Sequence, residues 1–320
     1  MSKSQVVDLD QIRDAQKAIA GRLHRTPMTR SSYLSDQLAV DLHLKLEMFQ
    51  KTGSFKVRGV LNKLRHLSPQ EQGRGVVSVS SGNHAAALAY TASLSGVPST
   101  IVMPAGAVES KVDATRGYGG EVVLTDGDLL DTVRSVQQER GLTMVHPFDD
   151  PMIIAGAGTT GLEIVEDLSD VDVVVVGVGG GGLISGVAAA VKLQRPDAAV
   201  IGVEPEGACA VTLSLRAGKP VNLDRVDTVA DGLAPPFTGE HPLAHVQRFV
   251  DDVVLVTDEE IVEAMALIME RTKVVAEPAA ASTLAALLSG KAKVPAGSKV
   301  VCLLSGGNID RRRLASLLGP

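Results

Sequence analysis

The sequence predicts an α/β protein of two domains built on doubly wound parallel sheets. Three observations predict it. From residue 75 onward, short apolar runs alternate with segments of helical periodicity. Residues 171–178 form an apolar run, as a strand does when helices cover both faces of its sheet. Glycine- and serine-rich turns follow several predicted strands directly, at the edge where open parallel sheets bind ligands. A chain of 320 residues is long enough for a large core and two domains.

The elements follow in order. Residues 9–22 carry Ile12, Ala15, Ala18 and Ile19 at helical spacing, and residues 42–46 alternate as a strand. Gly53 and Ser54 read as the turn and N-cap of a helix whose apolar face is Val57, Val60, Leu61 and Leu64. A small unit comes next. Its strands are predicted at 75–79, 100–103, 121–124 and 143–145, and its helices at 83–94, 109–118 and 128–140. A helix at 153–167 opens a larger unit, with strands at 171–178, 199–203, 253–256 and 299–304. Helices at 183–193 and 259–272 and an alanine-rich helix after Pro278 separate them. Right-handed crossovers then imply double winding. The Pro-rich residues 234–239 read as a surface loop. The expected boundaries are 1–70 plus 150–320 for a large domain and 71–149 for a small one.

Composition excludes several classes. With 45% hydrophobic and 21% charged residues the chain has the make-up of a globular protein. A net charge of -6 offers no basic face to nucleic acid, and 2% aromatics with no Trp supply no base-stacking platform. Cys209 and Cys302 lie far apart, with no CxxC or Cys/His cluster to bind zinc, and Cys302 reads as a buried strand residue. The first twenty residues lack an apolar signal core and no run reaches membrane-spanning length, so a reducing cytoplasmic compartment is expected.

Four stretches carry chemistry. Lys56 falls in the first turn of its predicted helix, where the positive end of the dipole and partial burial both disfavour an ammonium. A lysine of lowered pKa is a nucleophilic amine able to form a Schiff base. Gly179, Gly180, Gly181 and Gly182 connect a buried strand to a helix, an arrangement that turns backbone N–H groups toward a phosphate. A competing reading is available, because Gly177, Gly179 and Gly182 also satisfy G-x-G-x-x-G. Glu204, 22 residues beyond Gly182, stands where a ribose-binding acid of a dinucleotide dehydrogenase would be. Ser80-Ser81-Gly82-Asn83-His84 suits a substrate carboxylate at a helix start, or a simple cap. Ser305-Gly306-Gly307-Asn308 follows the last strand. Together these groups can converge on one cleft.

The chain resembles the fold-type II pyridoxal-phosphate enzymes of the threonine/serine dehydratase and serine racemase family. The resemblance covers nearly the whole chain. It rests on Ser54-Phe55-Lys56-Val57-Arg58-Gly59, Ser80-Ser81-Gly82-Asn83-His84, Gly179 to Gly182, Val229-Ala230-Asp231-Gly232, Glu277-Pro278 and Ser305-Gly306-Gly307-Asn308. It implies a tryptophan synthase β-like fold with pyridoxal 5'-phosphate between the domains. Lys56 would hold the cofactor and move the substrate Cα proton. Phe55 would lie along the ring, Asn83 on its phenolic oxygen, Gly179–Gly182 and Leu183 on the phosphate, Ser305 at the pyridine nitrogen and Glu277 near the ring edge. Ser80, Ser81, Gly82, Asn83 and His84 would bind the substrate, with Ser81 opposite Lys56 as an acid on the far face.

The implied reaction is loss of water from a 3-hydroxy amino acid to a 2-oxo acid and ammonia. Serine racemisation and 3-hydroxyaspartate dehydration are the alternatives. Relatives bind Mg or Ca through a Glu, a carbonyl and an acidic side chain. Glu204 and Ala208 match the first two, but Ala210 replaces the acid, so weak metal dependence is expected. A homodimer or higher homo-oligomer is expected, as is the absence of a regulatory domain after Pro320.

Overall fold

The computed structural model describes residues 6–80 and 82–319. The chain opens with α1 (Leu9–Ile19), β1 (Met28–Arg30), α2 (Ser32–Leu38), β2 (Asp41–Leu46), α3 (Lys56–Leu64) and α4 (Pro69–Arg74). A run of alternating elements follows: β3 (Val76–Val79), α5 (Asn83–Leu94), β4 (Ser99–Pro104), α6 (Glu109–Gly117), β5 (Glu121–Thr125), α7 (Leu129–Arg140) and β6 (Thr143–Met144). The remainder is α8 (Pro151–Asp167), β7 (Val173–Gly177), α9 (Gly182–Lys192), β8 (Ala199–Pro205), α10 (Ala210–Ala217), α11 (Glu240–Phe249), β9 (Asp252–Val256), α12 (Asp258–Thr272), α13 (Pro278–Leu288), β10 (Lys299–Leu304) and α14 (Arg311–Leu318).

Two sheets result. One runs β5-β4-β3-β6 and is parallel throughout. The other runs β1-β2-β10-β7-β8-β9. It is parallel from β2 to β9, but β1 pairs antiparallel with β2. The parallel sheets read from the sequence are present, and β1 adds an antiparallel edge strand that the reading did not include. A three-residue edge strand is too short to show a pattern, and an antiparallel edge is a common ending for such sheets.

The apolar runs are central strands, as expected of β7 and β10, whose side chains are buried on both faces. Val173 and Val175 join one core with α12 and α13, whereas Val174 and Val176 join another with α8 and α9. In the smaller sheet Val76 and Ile101 join one core, and Val77 and Val102 another. Cys302 is buried within β10 and burial pushes its thiol up to about 12. Among the described residues no helix is long and apolar enough to cross a membrane.

Local sequence explains several ends. Asp8, Ser68 and Thr257 each complete a capping box with a Gln or Glu three residues on, worth about 1 kcal/mol per cap. The first helix stops at Ile19 rather than residue 22, because Gly21 takes a left-handed φ of +73°. Ser54 is not the N-cap of α3. Phe55 N–H donates to the Ser305 carbonyl and Gly307 N–H to the Gly53 carbonyl. Those pairs hold Ser54 extended against Gly306, so the helix begins one residue later, with Phe55 at its N-cap and Lys56 as its first residue.

Candidate active site

The parallel strands deliver their loops to a common cleft. β3 ends at the Ser80 turn, β7 at the glycine tetrad and β10 at Ser305. α3 brings Lys56 there from the other side of the β10 loop.

Lys56 Nζ donates to the Pro147 carbonyl at 3.0 Å, and lies 5.1 Å from the centroid of the Phe55 ring. The residue keeps some contact with the cleft. Its surroundings are nonetheless so poor in water that burial lowers the ammonium's pKa to about 8, with Glu277 partly offsetting the effect. Near neutral pH an appreciable fraction of the amine is therefore unprotonated. The lowered pKa expected from the sequence is present, with burial as its leading cause.

The glycine tetrad turns from β7 into α9. Gly181 is the N-cap, with a left-handed φ of +89°, and no side chain caps the helix. A Cβ on Gly180 would strike the Phe148 ring, and one on Gly182 would come 2.8 Å from Phe148 Cβ. Thr238 Oγ1 donates to the Gly180 carbonyl at 3.1 Å and fixes the turn. The loop is thus pinned from behind by Phe148 and Thr238, while the first N–H groups of α9, including that of the buried Leu183, lack a side-chain acceptor.

Asn83 opens α5 and links the two halves of the cleft. Its Nδ2 donates to Glu277 Oε1 at 2.8 Å, and its Oδ1 accepts from Asn308 Nδ2 at 2.8 Å. Asn308 Nδ2 also donates to the Thr52 carbonyl. Glu277 is buried, and burial raises its carboxyl to about 7, with Asn83 and Lys111 opposing. Ser305 is buried beside it at the end of β10. The hydroxyl of Ser54 is fully buried and has no partner among the described residues.

At the α5 start, Gly82 is the N-cap and supplies no side chain, and its N–H donates to Ser80 Oγ at 3.2 Å. The first turn of α5 therefore presents backbone donors to the cleft. Ser81 lies outside the described residues. His84 points inward: Nε2 is 3.0 Å from Ser78 Oγ and 3.2 Å from the Val145 carbonyl. Burial lowers its pKa to about 3, with nearby Lys56 adding to the shift, so the imidazole is neutral and packs beneath the loop.

Glu204 takes a different part. Its carboxylate accepts from Val211 N–H and Thr212 N–H, both at 2.8 Å, and from Thr212 Oγ1 at 2.6 Å. It closes the start of α10, and burial raises its pKa to about 7 despite those bonds. Ala208 and Ala210 are buried beside it. Among the described residues no group of three or more His, Cys, Asp or Glu is placed to hold a metal ion.

The sequence reading found most of these groups but missed Pro147, Phe148 and Thr238. A backbone carbonyl gives no residue-type signal, and the other two act through tertiary contact.

A desolvated lysine amine, an uncapped glycine-lined helix start and a second uncapped helix start define a class of site. It fits an aldehyde cofactor bearing a phosphate, with an amino acid as its partner. The chain matches the family described as "Pyridoxal-phosphate dependent enzyme" over residues 19–306. It is 46% identical over 309 residues to an L-threonine ammonia-lyase of Thermotoga maritima, covering 95% of this chain and 76% of the relative. It is 43% identical to a catabolic L-threonine dehydratase of Escherichia coli over 317 residues, covering 98% and 96%. The solved structure of maize serine racemase superposes with a TM-score of 0.93 at 40% identity, covering 98% of this chain and 97% of that one. The chain belongs to the pyridoxal-phosphate dependent enzyme family. The dinucleotide reading of the glycine tetrad is thereby set aside. Glu204, its proposed ribose acid, is occupied in capping α10.

Proposed function

We propose that this chain is a threonine/serine ammonia-lyase, removing water from a 3-hydroxy amino acid to give a 2-oxo acid and ammonia. The observation that carries the reading is the amine of Lys56, its pKa lowered by burial to about 8, hydrogen-bonded to the Pro147 carbonyl in a cleft shared by the glycine tetrad and the start of α5. The names of the two most identical relatives cited support the substrate class. Pyridoxal phosphate supplies an aldehyde for amine exchange and a ring that draws electrons from the substrate Cα.

The chain's own residues supply the rest. Gly179, Gly180, Gly181, Gly182 and Leu183 bind the phosphate through N–H groups and the α9 dipole. Phe55 would lie along the ring, Asn83 would hydrogen-bond its phenolic oxygen and Glu277 would sit near the ring edge. Ser305 would offer the pyridine nitrogen a neutral hydroxyl, a setting that would favour loss of a β-hydroxyl. Lys56 would hold the cofactor through its amine and would serve as the base for the substrate Cα proton. The α5 start, with Ser80, Ser81, Gly82 and Asn83, holds the substrate carboxylate. His84 acts from behind, packing under that turn.

Residues 71–149 form the small domain and 1–70 with 150–320 the large one. Substrate bridging them excludes water. A divalent metal contributes little, because Glu204 and the Ala208 carbonyl lack an acidic partner at Ala210. The protein works as a homo-oligomer in the cytoplasm.

Serine racemisation is the second reading, favoured by the likeness to maize serine racemase. It requires Ser81 to protonate Cα from the face opposite Lys56. The test is a keto-acid and chiral-product assay with L-threonine, both serine enantiomers and 3-hydroxyaspartate. A 2-oxo acid from L-threonine is expected. Activity with none of them would overturn the proposal, and D-serine from L-serine without keto acid would select racemisation.

A further inference from the structure

Behind α3 lies a polar cluster that the proposed chemistry does not use. Arg58, Lys45 and Glu47 are 0% exposed and Glu163 is 4% exposed. Arg58 donates from Nε to Glu47 Oε2 at 2.9 Å and from one terminal nitrogen to Glu47 Oε1 at 2.8 Å. Its other terminal nitrogen donates to Glu163 Oε1 at 2.7 Å and to Thr159 Oγ1 at 3.1 Å. Lys45 Nζ donates to Glu163 Oε2 at 2.7 Å and to the Thr26 carbonyl at 2.7 Å. The two cations thus face Glu47 and Glu163, and Asp167 stands 3.9 Å from Lys45 Nζ at the more exposed edge of the cluster. Burial works against the Arg58 charge, but Glu47 and Glu163 outweigh it and hold the guanidinium ionised. Well-packed apolar side chains would often stabilise such a site as much or more, so ion pairs kept here call for another use.

The packing of α3 on α8 supplies one. The two helices touch backbone to backbone: a Cβ on Gly59 would come 2.8 Å from the Ile153 carbonyl, and one on Gly156 would run into the Arg58 carbonyl. That crossing is a pivot. Beyond it on one side, Asn62 Nδ2 donates to the Met152 carbonyl at 2.7 Å and Lys63 pairs with Asp150 at 2.6 Å. On the other side Arg58 grips Thr159 and Glu163, two residues from Lys56. Pro147, which accepts from the Lys56 amine, lies on the segment leading into α8. Donor and acceptor of that hydrogen bond are therefore set by the same pair of helices.

We propose that Arg58 is a positioning residue: its fork to Glu47 and Glu163 locks the rotation of α3 on α8 and so aims the Lys56 amine. The inference rests on the reading of Lys56 as the cofactor's lysine. An ammonium at position 58 keeps the charge but lacks the planar fork that meets both carboxylates at once.

The test compares R58K with I268A, a cavity variant at an equally buried site in α12, both as holoenzyme. Four readouts are taken: melting temperature, kcat and KM with L-threonine, borohydride trapping of cofactor on Lys56, and hydrogen exchange by mass spectrometry. For R58K we expect a fall in kcat of roughly tenfold or more with KM little changed, as misaimed reacting groups produce. Trapping at Lys56 falls, and exchange quickens in residues 55–64. I268A lowers the melting temperature without any of these. Should R58K not fold, E163Q, which keeps the shape but drops one charge, is expected to give the same split in smaller measure. A lowered melting temperature with wild-type kcat and trapping, in whichever variant folds, overturns the proposal. Failure to trap cofactor on Lys56 in the wild type instead overturns the functional reading, whatever Arg58 does.

Discussion

Lys56 carries two predictions at the scale of a single residue. Lys56→Ala should abolish turnover and the borohydride-reducible linkage together, since the variant has no amine to form it. Peptide mass mapping of reduced protein checks this; a reducible linkage at another lysine with activity intact would refute the assignment. The second concerns pH. In the protein stripped of cofactor, the folded pKa is about 8, below the ordinary 10.5 of lysine. Between those values the unfolded chain binds a proton that the folded chain does not, so stability attributable to this group rises with pH across that window. Below pH 8 its full penalty is present. Lys56→Met should therefore be more stable than the wild type at pH 7, and the gap should narrow as pH approaches 10.5. Denaturant melts at several pH values measure it, and a gap constant with pH would contradict the burial argument.

Single elements decide the cofactor and metal predictions. The turn into α9 works because its glycines let Phe148 pack directly behind them. Gly180→Ala forces a methyl into that ring. Overpacking of this kind costs about 1–3 kcal/mol, which should appear as weaker pyridoxal phosphate binding in fluorescence titration. Gly82→Ala is the comparison, because nothing lies within 4 Å of its added Cβ. It should retain cofactor, and equal losses from both changes would count against the cradle. On the other flank, Glu204 already spends both oxygens on the start of α10, and hard cations need several oxygen ligands with charge. Chelator treatment should leave activity and melting temperature nearly unchanged, whereas Ala210→Asp should create or strengthen a magnesium or calcium response. A large loss on chelation, restored by either ion, would show that other ligands complete a site.

At the scale of the whole molecule, the polar links across the cleft include Asn83 to Glu277 and Asn308, Lys56 to the Pro147 carbonyl, and Lys111 of α6, 3.8 Å from Asp231 on the turn before α11. Exposed pairs such as Lys111–Asp231 contribute little to stability, whereas the apolar face of α3 shares one buried core with α5. A substrate carboxylate held at the α5 start should draw the two sides of the cleft together and expel water. Small-angle scattering should then show a more compact particle with a slow substrate analogue bound; identical profiles would argue for a rigid cleft.

The sequence by itself determined the alternation of strands and helices, the buried character of β7 and β10, and the order of the motifs around the cleft. These depend on local periodicity and on glycine and serine at strand ends, which are written in neighbouring residues. It also singled out Lys56, Asn83, the tetrad and Ser305 as members of one site. Tertiary structure alone decided the rest. Ser54 reads as a helix cap, yet pairing with Gly306 from the far end of the chain makes it a bridge residue instead. His84 reads as a substrate ligand, but the depth of the β3–β6 packing turns it into a neutral core residue. Pro147, Phe148, Glu47 and Glu163 carry no motif. Their parts come from contacts between segments that are separate in the chain, such as Lys56 to Pro147, 91 positions apart, and Arg58 to Glu163, 105 positions apart. The aim of an amine and its pKa depend on what surrounds it, and only the folded chain brings those neighbours together.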